Sequence, residues 1–335
     1  MKGFSNRWKD FPDYIIGITK EIWEDRGVGT LHDYYAKDIV VRSPMGIQRG
    51  NAAVMASTMA TINEFPDREL LADDVIWSDD PDFGLLSSHR LNTRATHTRD
   101  GQFGPATGKP WNARVIADCA AKNDCIYDEW LIRDYGGIVR QLGFDPADYA
   151  AALIDAEGGP DSCSRPFTPD QDIDGGYNSK GNDNTWGQRY ADTLHQIMNM
   201  DFQVIAKDYD RAVGCDYAGG IHAYSHDTVT KFWLGLRSSF PDAKFTIHHQ
   251  IGMDNDMLPP RAAIRWALDG THSGWGSFGE PTGAKVHVMG MCHAEYGPFV
   301  NKDGPQDATI RRECALYDEV AIWKQILMQT GKDGQ

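Results

Sequence analysis

The sequence predicts an α+β protein made of two tandem copies of one domain. Two segments, "RATHTRDGQFGPATG" from Arg94 and "DGTHSGWGSFGEPTG" from Asp269, share a Thr-His pair, a glycine-rich run and a Thr-Gly pair. The two histidines lie 175 positions apart (97 and 272), and "EFPDREL" at 64–70 keeps this offset to "SFPDAKF" at 239–245. In each half, helical periodicity comes first and strand-like alternation follows. This order predicts helices packed on one face of a curved antiparallel sheet.

The elements follow in the same order in both halves. An amphipathic helix opens each half, in "YIIGITKEIWEDR" and in "RYADTLHQIMNMDFQVIAKDY". A second helix, "NAAVMASTMATINE" or "HDTVTKFWLGLRSS", precedes each Phe-Pro-Asp, where proline and aspartate end it. The predicted strands of the first half are "ELLADDVIWSD", "GLLSSHRLNTRATH", "WNARVIADCAA" and "CIYDEWLIRDY", with equivalents in the second.

Near the end of each half the offset becomes 184, because Glu129 corresponds to Glu313 and Asp134 to Asp318. The difference fits an insertion around "YGPFVNKDGPQD", a polar segment rich in glycine and proline. We therefore expect a first domain over 1–150, a linker over 151–185 and a second domain over 186–335. The linker contains "DQDIDG", which has the first half of a calcium loop. Its twelfth position, where a glutamate should stand, is Gly181, which favours a solvated turn.

Composition excludes several classes of function. The 335 residues carry a net charge of −15, which argues against a nucleic-acid partner, and no basic run predicts a membrane surface. The N-terminus lacks the apolar segment of a signal peptide and no stretch reaches membrane-spanning length, so we expect a cytoplasmic protein. The six cysteines form no C-x-x-C pair, which predicts reduced thiols rather than a zinc site.

Two segments resemble the SnoaL-like polyketide cyclases of the nuclear transport factor 2-like superfamily. They are "AAIRWALDGTHSGWGSFGEPTGAKVHVMGM" at 262–291 and "YDEWLIRDYGGIVRQLG" at 127–143. The resemblance implies two cone-shaped domains, each a bent sheet packed with helices around a deep, mostly apolar pocket. It also implies that the fused copies pack sheet against sheet as an intramolecular pseudo-dimer, so that the chain is monomeric, with further homo-oligomers left open.

The resemblance further implies a cofactor-independent enzyme of isomerase or lyase type, whose carboxylate moves a proton on a small apolar carbonyl compound. Aldol cyclisation, isomerisation and dehydration are the expected reactions. It places the acid/base carboxylate at Asp134, at Asp318 or at both. Strand alternation puts Asp134 on one face with Trp130 and Ile132, and Glu129 on the other. On an apolar concave face the pKa of Asp134 would rise. The alternative is that each aspartate caps the segment after it.

The other candidate site residues also recur between the halves. His97 and His272 either polarise a substrate carbonyl or hydrogen-bond into the glycine-rich turn. Arg90 and Arg265 either bind an anionic substrate group or pair with acidic neighbours. We expect the rings of Trp130 and Trp266 to shape the pocket. The resemblance implies no cofactor, and we predict no metal because the histidines of the second half lack a diagnostic spacing.

Two other functions remain open. The chain is either an enzyme or a non-catalytic module that binds a small ligand in the same pockets. An epoxide hydrolase-type reaction is disfavoured because the required Arg-x-carboxylate reads Arg90-x-Asn92 and Arg265-x-Ala267. The sequence leaves open the substrate, the exact reaction, which of the two cavities is active and whether the histidine-rich second half binds a metal.

Overall fold

The computed structural model describes residues 1–255, 257–297 and 308–331. The first half contains helices α1 to α5 and strands β1 to β6. They are α1 (Phe11–Trp23), α2 (Leu31–Tyr34), β1 (Tyr35–Ser43), β2 (Gly46–Arg49), α3 (Asn51–Glu64), β3 (Glu69–Asp80), β4 (Gly84–Thr96), β5 (Pro110–Lys122), β6 (Cys125–Arg133), α4 (Tyr135–Leu142) and α5 (Pro146–Ala156).

The second half repeats this order without a counterpart of α5 among its described residues. Its elements are α6 (Thr185–Met198), α7 (Val204–Asp208), β7 (Tyr209–Tyr217), β8 (Ile221–Tyr224), α8 (His226–Ser239), β9 (Lys244–Asn255), β10 (Leu258–Thr271), β11 (Lys285–Gly297), β12 (Thr309–Tyr317) and α9 (Glu319–Thr330). Short 3₁₀ turns lie at Val28–Thr30 and Pro169–Gln171.

The elements recur at the predicted offsets. The starts of α3 and α8 (51 and 226) and of β3 and β9 (69 and 244) differ by 175, while those of β6 and β12 (125 and 309) differ by 184. The change of offset falls in the segment predicted to be an insertion, most of which (298–307) lies outside the described residues. The two halves therefore share one architecture, as the repeated motifs predicted.

Each half forms a six-stranded sheet. The strand orders are β2-β1-β6-β5-β4-β3 and β8-β7-β12-β11-β10-β9. All neighbours are antiparallel except β1 with β6 and β7 with β12, which are parallel. The predicted α+β fold of two tandem domains is confirmed. The sheets are mixed rather than antiparallel, because the first strand of each half lies parallel to the last. The sequence analysis did not predict these first strands.

Helices cover one face of each sheet. Asp10 begins α1 by accepting a hydrogen bond from the backbone N–H of Asp13 at 2.9 Å. Below this cap, the apolar residues recur at helical spacing and are buried against β3 and β4. They are Phe11, Tyr14, Ile15, Ile18 and Ile22. The helical layer and the inner face of the sheet thus enclose the interior of the first domain.

The two sheets pack against each other through their other faces. Ile116 and Ile132 of the first sheet lie in one apolar cluster with Met289, Met291 and Leu316 of the second. Each buried aliphatic side chain contributes about 1.5–3 kcal/mol. A single chain therefore contains the predicted sheet-to-sheet pair, and both faces of each sheet are covered.

The segment between the halves runs over this junction. Phe167 donates its backbone N–H to the Pro44 carbonyl at 3.0 Å, and the Tyr177 hydroxyl lies 2.9 Å from Nε2 of His249. The helix α5 packs on α9 of the second half, where the buried Lys324 binds Glu157 at 3.1 Å. The predicted boundary at residue 150 therefore falls inside a helix that connects the two halves.

Candidate functional site

The interior of the first domain holds a cavity between the helices and the inner face of the sheet. A large chamber of about 430 Å³ adjoins a small chamber of about 80 Å³. Trp23, Thr58, Leu131 and Arg133 line both chambers. Polar side chains dominate the large chamber, including Ser43, Gln48, Ser57, Thr61, Asn63, Glu64 and Gln102. The small one combines aliphatic side chains, including Ile22, Leu31, Val54, Leu70, Leu91 and Val115, with the polar or charged side chains of Arg68, His89, Glu129 and Arg133.

A buried carboxylate lines the small chamber. Glu129 lies on β6 and is 6% exposed. Since side chains alternate along a strand, Leu131 and Arg133 share its face and line the same cavity. Burial raises the pKa of Glu129 to about 7, against the opposing effects of the Arg133 charge and a hydrogen bond from Tyr35. At neutral pH this carboxyl group populates both protonation states, as a group that takes and returns a proton must.

The neighbours of Glu129 supply donors and a positive charge. The Tyr35 hydroxyl hydrogen-bonds Glu129, and burial raises the pKa of this phenol, so it remains a donor. Burial lowers the pKa of His89 to about 4, so its imidazole is neutral. The Arg133 side chain makes no hydrogen bond or ion pair within the described part of the chain, although its charge acts on Glu129. The cavity thus presents an acid/base group beside a guanidinium that is available to a ligand.

The equivalent carboxylate of the second domain is enclosed by hydrogen bonds. Glu313 accepts from the hydroxyls of Tyr190 at 2.7 Å, Tyr209 at 2.8 Å and Tyr217, and from the indole N–H of Trp233 at 3.2 Å. These donors occupy both carboxylate oxygens. The group is therefore built into the core of its domain.

Large aromatic side chains fill the positions that are open in the first domain. Where the first cavity has Thr58, Ser43 and Arg133, the second domain has Trp233, Tyr217 and Tyr317. Trp266 occupies the position of Leu91, and a Cβ on the facing Gly290 would lie 2.0 Å from its ring. In the described part of the second domain the interior is thus a packed aromatic core, whereas the first domain holds the two chambers.

Asp134, predicted to face the first cavity, is not among the residues that line the two chambers. Asp134 follows the last residue of β6 and caps α4, accepting from the backbone N–H of Gly137 at 2.9 Å. It also accepts from Gly219 and Gly220 of the second domain, both at 2.8 Å. Burial raises its pKa to about 6, as expected, but the side chain is used by the helix cap and the domain contact.

Asp318 has the same structural position in the second half. It caps α9 and accepts from the backbone N–H groups of Val320 at 2.9 Å and Ala321 at 3.3 Å. Burial raises its pKa to about 8. Each aspartate therefore caps the helix that follows it, which is the alternative that the sequence left open. Because β6 and β12 each end one residue before the aspartate, strand alternation does not apply to these side chains.

The predicted substrate-binding residues lie at the domain junction or in the second core. Arg265 lies over the Trp130 ring, with 3.5 Å between the guanidinium carbon and the ring centroid. Arg90 pairs with Asp73 at 2.8 Å, the acidic neighbour that the alternative foresaw. Trp266 is fully buried in the second domain. In the described part of the chain, these four residues do not line the two chambers.

The two histidines of the repeated motif stabilise a turn. Nδ1 of His97 lies 3.2 Å from the Thr107 hydroxyl, and the Gly108 N–H donates to the His97 carbonyl at 2.8 Å. His272 repeats both contacts with Thr282 at 3.0 Å and Gly283 at 2.8 Å. Both histidines thus make the hydrogen bonds into the glycine-rich turn that the sequence offered as the alternative. Nε2 of His97 lies 3.4 Å from Oε1 of Glu64, and Glu64 lines the large chamber.

Sequence reasoning missed Glu129 and Arg133 as cavity residues. The recurrence of Glu129 as Glu313 was a usable signal, because a carboxylate inside an apolar strand needs a partner or a function. The face was misassigned because both faces of β6 are buried, one under helices and one under the second sheet.

Among the described residues, no group of three or more His, Cys, Asp or Glu is arranged to hold a metal. No helix in the described ranges is long and apolar enough to cross a membrane.

Comparisons with known proteins match the first half of the chain. Residues 14–142 match the family model of the SnoaL-like polyketide cyclases. A search of curated proteins finds no match. Among solved structures, IdmH of Streptomyces antibioticus is 23% identical and covers 39% of this chain and 97% of its own, with a TM-score of 0.34.

Two further structures give similar values. A candidate polyketide cyclase of Acidithiobacillus ferrooxidans is 20% identical over 39% of this chain and 92% of its own (TM-score 0.35). A SnoaL-like polyketide cyclase of Agrobacterium tumefaciens is 19% identical over 42% of this chain and 98% of its own (TM-score 0.31).

Proposed function

We propose that this chain, whose residues 14–142 match the family model of the SnoaL-like polyketide cyclases, is a cofactor-independent acid/base enzyme with one working cavity, in the first domain. One observation carries the proposal. Glu129 opens onto the cavity with a pKa of about 7, whereas its equivalent Glu313 is enclosed by four side-chain donors. The second domain then serves as scaffold.

The proposed chemistry is proton transfer next to a carbonyl group. The ionised Glu129 takes a proton from the carbon beside the carbonyl, so that the C–H bond breaks and the electron pair moves onto the carbonyl oxygen. Arg133 and the Tyr35 hydroxyl are the groups that stabilise the resulting enolate oxygen. Return of the proton to another carbon is an isomerisation, attack on a second carbonyl is an aldol cyclisation, and loss of a neighbouring hydroxyl is a dehydration.

The lining of the two chambers indicates the kind of substrate. The aliphatic part of the small chamber suits an apolar end, and the polar large chamber suits hydroxyl or carbonyl oxygens. A chamber of about 430 Å³ lies within the usual size of small-molecule sites. We therefore propose a carbonyl compound with one apolar and one polar end, rather than a wholly apolar one.

Hydrogen–deuterium exchange tests this function without knowledge of the full reaction. The protein is incubated in D₂O with a panel of small ketones and β-dicarbonyl compounds, and loss of the α-proton signal is followed by proton NMR. We expect the wild type to accelerate exchange in at least one compound, and Glu129→Gln to slow it by about a hundredfold or more. Glu313→Gln is the matched control and should leave the exchange rate unchanged in folded protein.

A second variant tests the location of the site. Thr58→Trp introduces a tryptophan into the first cavity, at the position equivalent to Trp233 in the core of the second domain. It should abolish both ligand binding and exchange while the protein stays folded. Exchange that is equally fast in wild type and Glu129→Gln would refute the acid/base role. Ligand binding that Thr58→Trp removes, without exchange of any compound in wild type, would favour the non-catalytic binding module.

A further inference from the structure

A second cavity lies at the junction of the two domains, apart from the proposed catalytic cavity. It has a volume of about 190 Å³, and we call it the interdomain pocket. The segment between the domains, the Trp130 ring and the outer face of the second sheet enclose it. Its lining includes Trp130, Phe167, Tyr177, Lys180, Arg265 and His287.

A buried guanidinium in this pocket has an unsatisfied nitrogen. Arg265 is 7% exposed and stacks on Trp130 at 3.5 Å. The nearest carboxylate is Asp118, with Oδ2 3.4 Å from Nη1 of Arg265. Within the described part of the chain, this Nη1 makes no hydrogen bond. A buried charged donor without a full set of partners is costly, so an acceptor is expected to bind there.

The first domain shows which acceptor suits this position. Arg90 is the counterpart of Arg265, and its Nε donates to Asp73 at 2.8 Å. The bulge that interrupts the pairing of β3 with β4 occurs at Asp73, and the equivalent bulge of β9 occurs at His248. His248 therefore stands where the carboxylate partner of the arginine stands in the first domain. An imidazole has no negative charge to offer in either of its protonation states.

The other charges around the pocket do not replace this carboxylate. Asp172 is paired with Arg42, and Asp269 lies 2.6 Å from Nδ1 of His287. Lys180 lines the pocket and has no ion pair in the ranges that the structure describes. The lining of the interdomain pocket thus carries two cations, Arg265 (3.4 Å from Asp118) and Lys180, together with aromatic rings.

We propose that the interdomain pocket binds a small aromatic carboxylate, whose carboxylate group pairs with Arg265 in the position that Asp73 takes beside Arg90. A charge-assisted pair with a planar guanidinium is the strongest contact that such a site can make. The aromatic part of the ligand packs against Phe167 and Trp130. The ligand thereby joins the second sheet to the segment between the domains and stabilises the junction.

Isothermal titration calorimetry of the full chain with sodium benzoate, at an ionic strength held constant with sodium chloride, tests the proposal. We expect one saturable site in the wild type. His248→Asp restores the internal carboxylate and should abolish this binding, while raising the melting temperature of the ligand-free protein. His32→Asp adds the same charge on an exposed helix and should bind benzoate like the wild type.

Two further variants separate the possible outcomes. Arg265→Lys keeps the charge but loses the planar pair of donors, and should weaken binding about tenfold or more. Thr58→Trp, which closes the first cavity, should leave benzoate binding unchanged. The proposal is overturned if the wild type gives no saturable heat, or if binding survives in His248→Asp and is lost in Thr58→Trp, which would place benzoate in the catalytic cavity.

Discussion

The raised pKa of Glu129 has a consequence for stability that needs no substrate. Burial moves this pKa from an ordinary value of 4.5 to about 7 in the folded protein. Between these two pH values the unfolded chain releases the proton while the folded chain keeps it. The folded state thus binds more protons than the unfolded state, so the free energy of unfolding falls as the pH rises.

The size of the effect follows from the shift. One pKa unit corresponds to about 1.4 kcal/mol, so a shift from 4.5 to about 7 corresponds to about 3 kcal/mol. Glu129→Gln has no titrating group, and its amide oxygen can still accept from Tyr35. Relative to wild type, the variant should therefore gain about 3 kcal/mol in unfolding free energy between pH 4 and pH 8, with no further gain above about pH 8.

Urea denaturation of both proteins across this pH range, followed by circular dichroism, measures the difference. Glu24→Gln removes the same charge from an exposed position and corrects for changes in net charge. If the difference between wild type and Glu129→Gln stays constant from pH 4 to pH 8, the carboxylate titrates near its ordinary pKa. The proposed proton transfer would then lose its basis.

Three other substitutions test the placement of the remaining groups. Asp134→Asn should lower the unfolding free energy by about 2–4 kcal/mol, because three backbone donors lose a charged acceptor. It should leave α-proton exchange intact, and loss of exchange in the folded variant would indicate a catalytic role for Asp134. Glu313→Gln should cost about 2–3 kcal/mol in urea denaturation, since an amide cannot accept from all four donors; an unchanged midpoint would contradict this. Gly290→Ala should cost about 1–3 kcal/mol or more by calorimetry, because the new Cβ meets the Trp266 ring; a neutral result would mean that the aromatic core can yield.

The sequence alone determined the elements and their repetition. Helix α3 spans Asn51–Glu64 and α8 spans His226–Ser239, the two segments that periodicity and the following Phe-Pro-Asp predicted. These signals are local, because the hydrophobic period and the residues that end a helix lie within a few positions of each other. The offset of 175 carried the prediction from one half to the other. The first strands, β1 and β2, gave no such signal, and with them the parallel pairing was missed.

Only the tertiary structure decided which carboxylate faces the cavity. Alternation along β6 separates Glu129 from Trp130 and Ile132, but it cannot say which face is the concave one when both are buried. The second sheet covers the face that carries Ile132, and the helices of the first domain enclose the face that carries Glu129. Asp134 belongs to neither face, since the strand ends before it.

The state of each cavity also depended on contacts between distant residues. A glycine at 290 admits the Trp266 ring from the neighbouring strand, and donors from three separate elements converge on Glu313. That His248 stands beside Arg265 where Asp73 stands beside Arg90 became visible only when the two bulges could be matched. A sequence records which side chains are available, whereas packing decides which of them are enclosed, and enclosure sets their pKa and leaves room for a ligand.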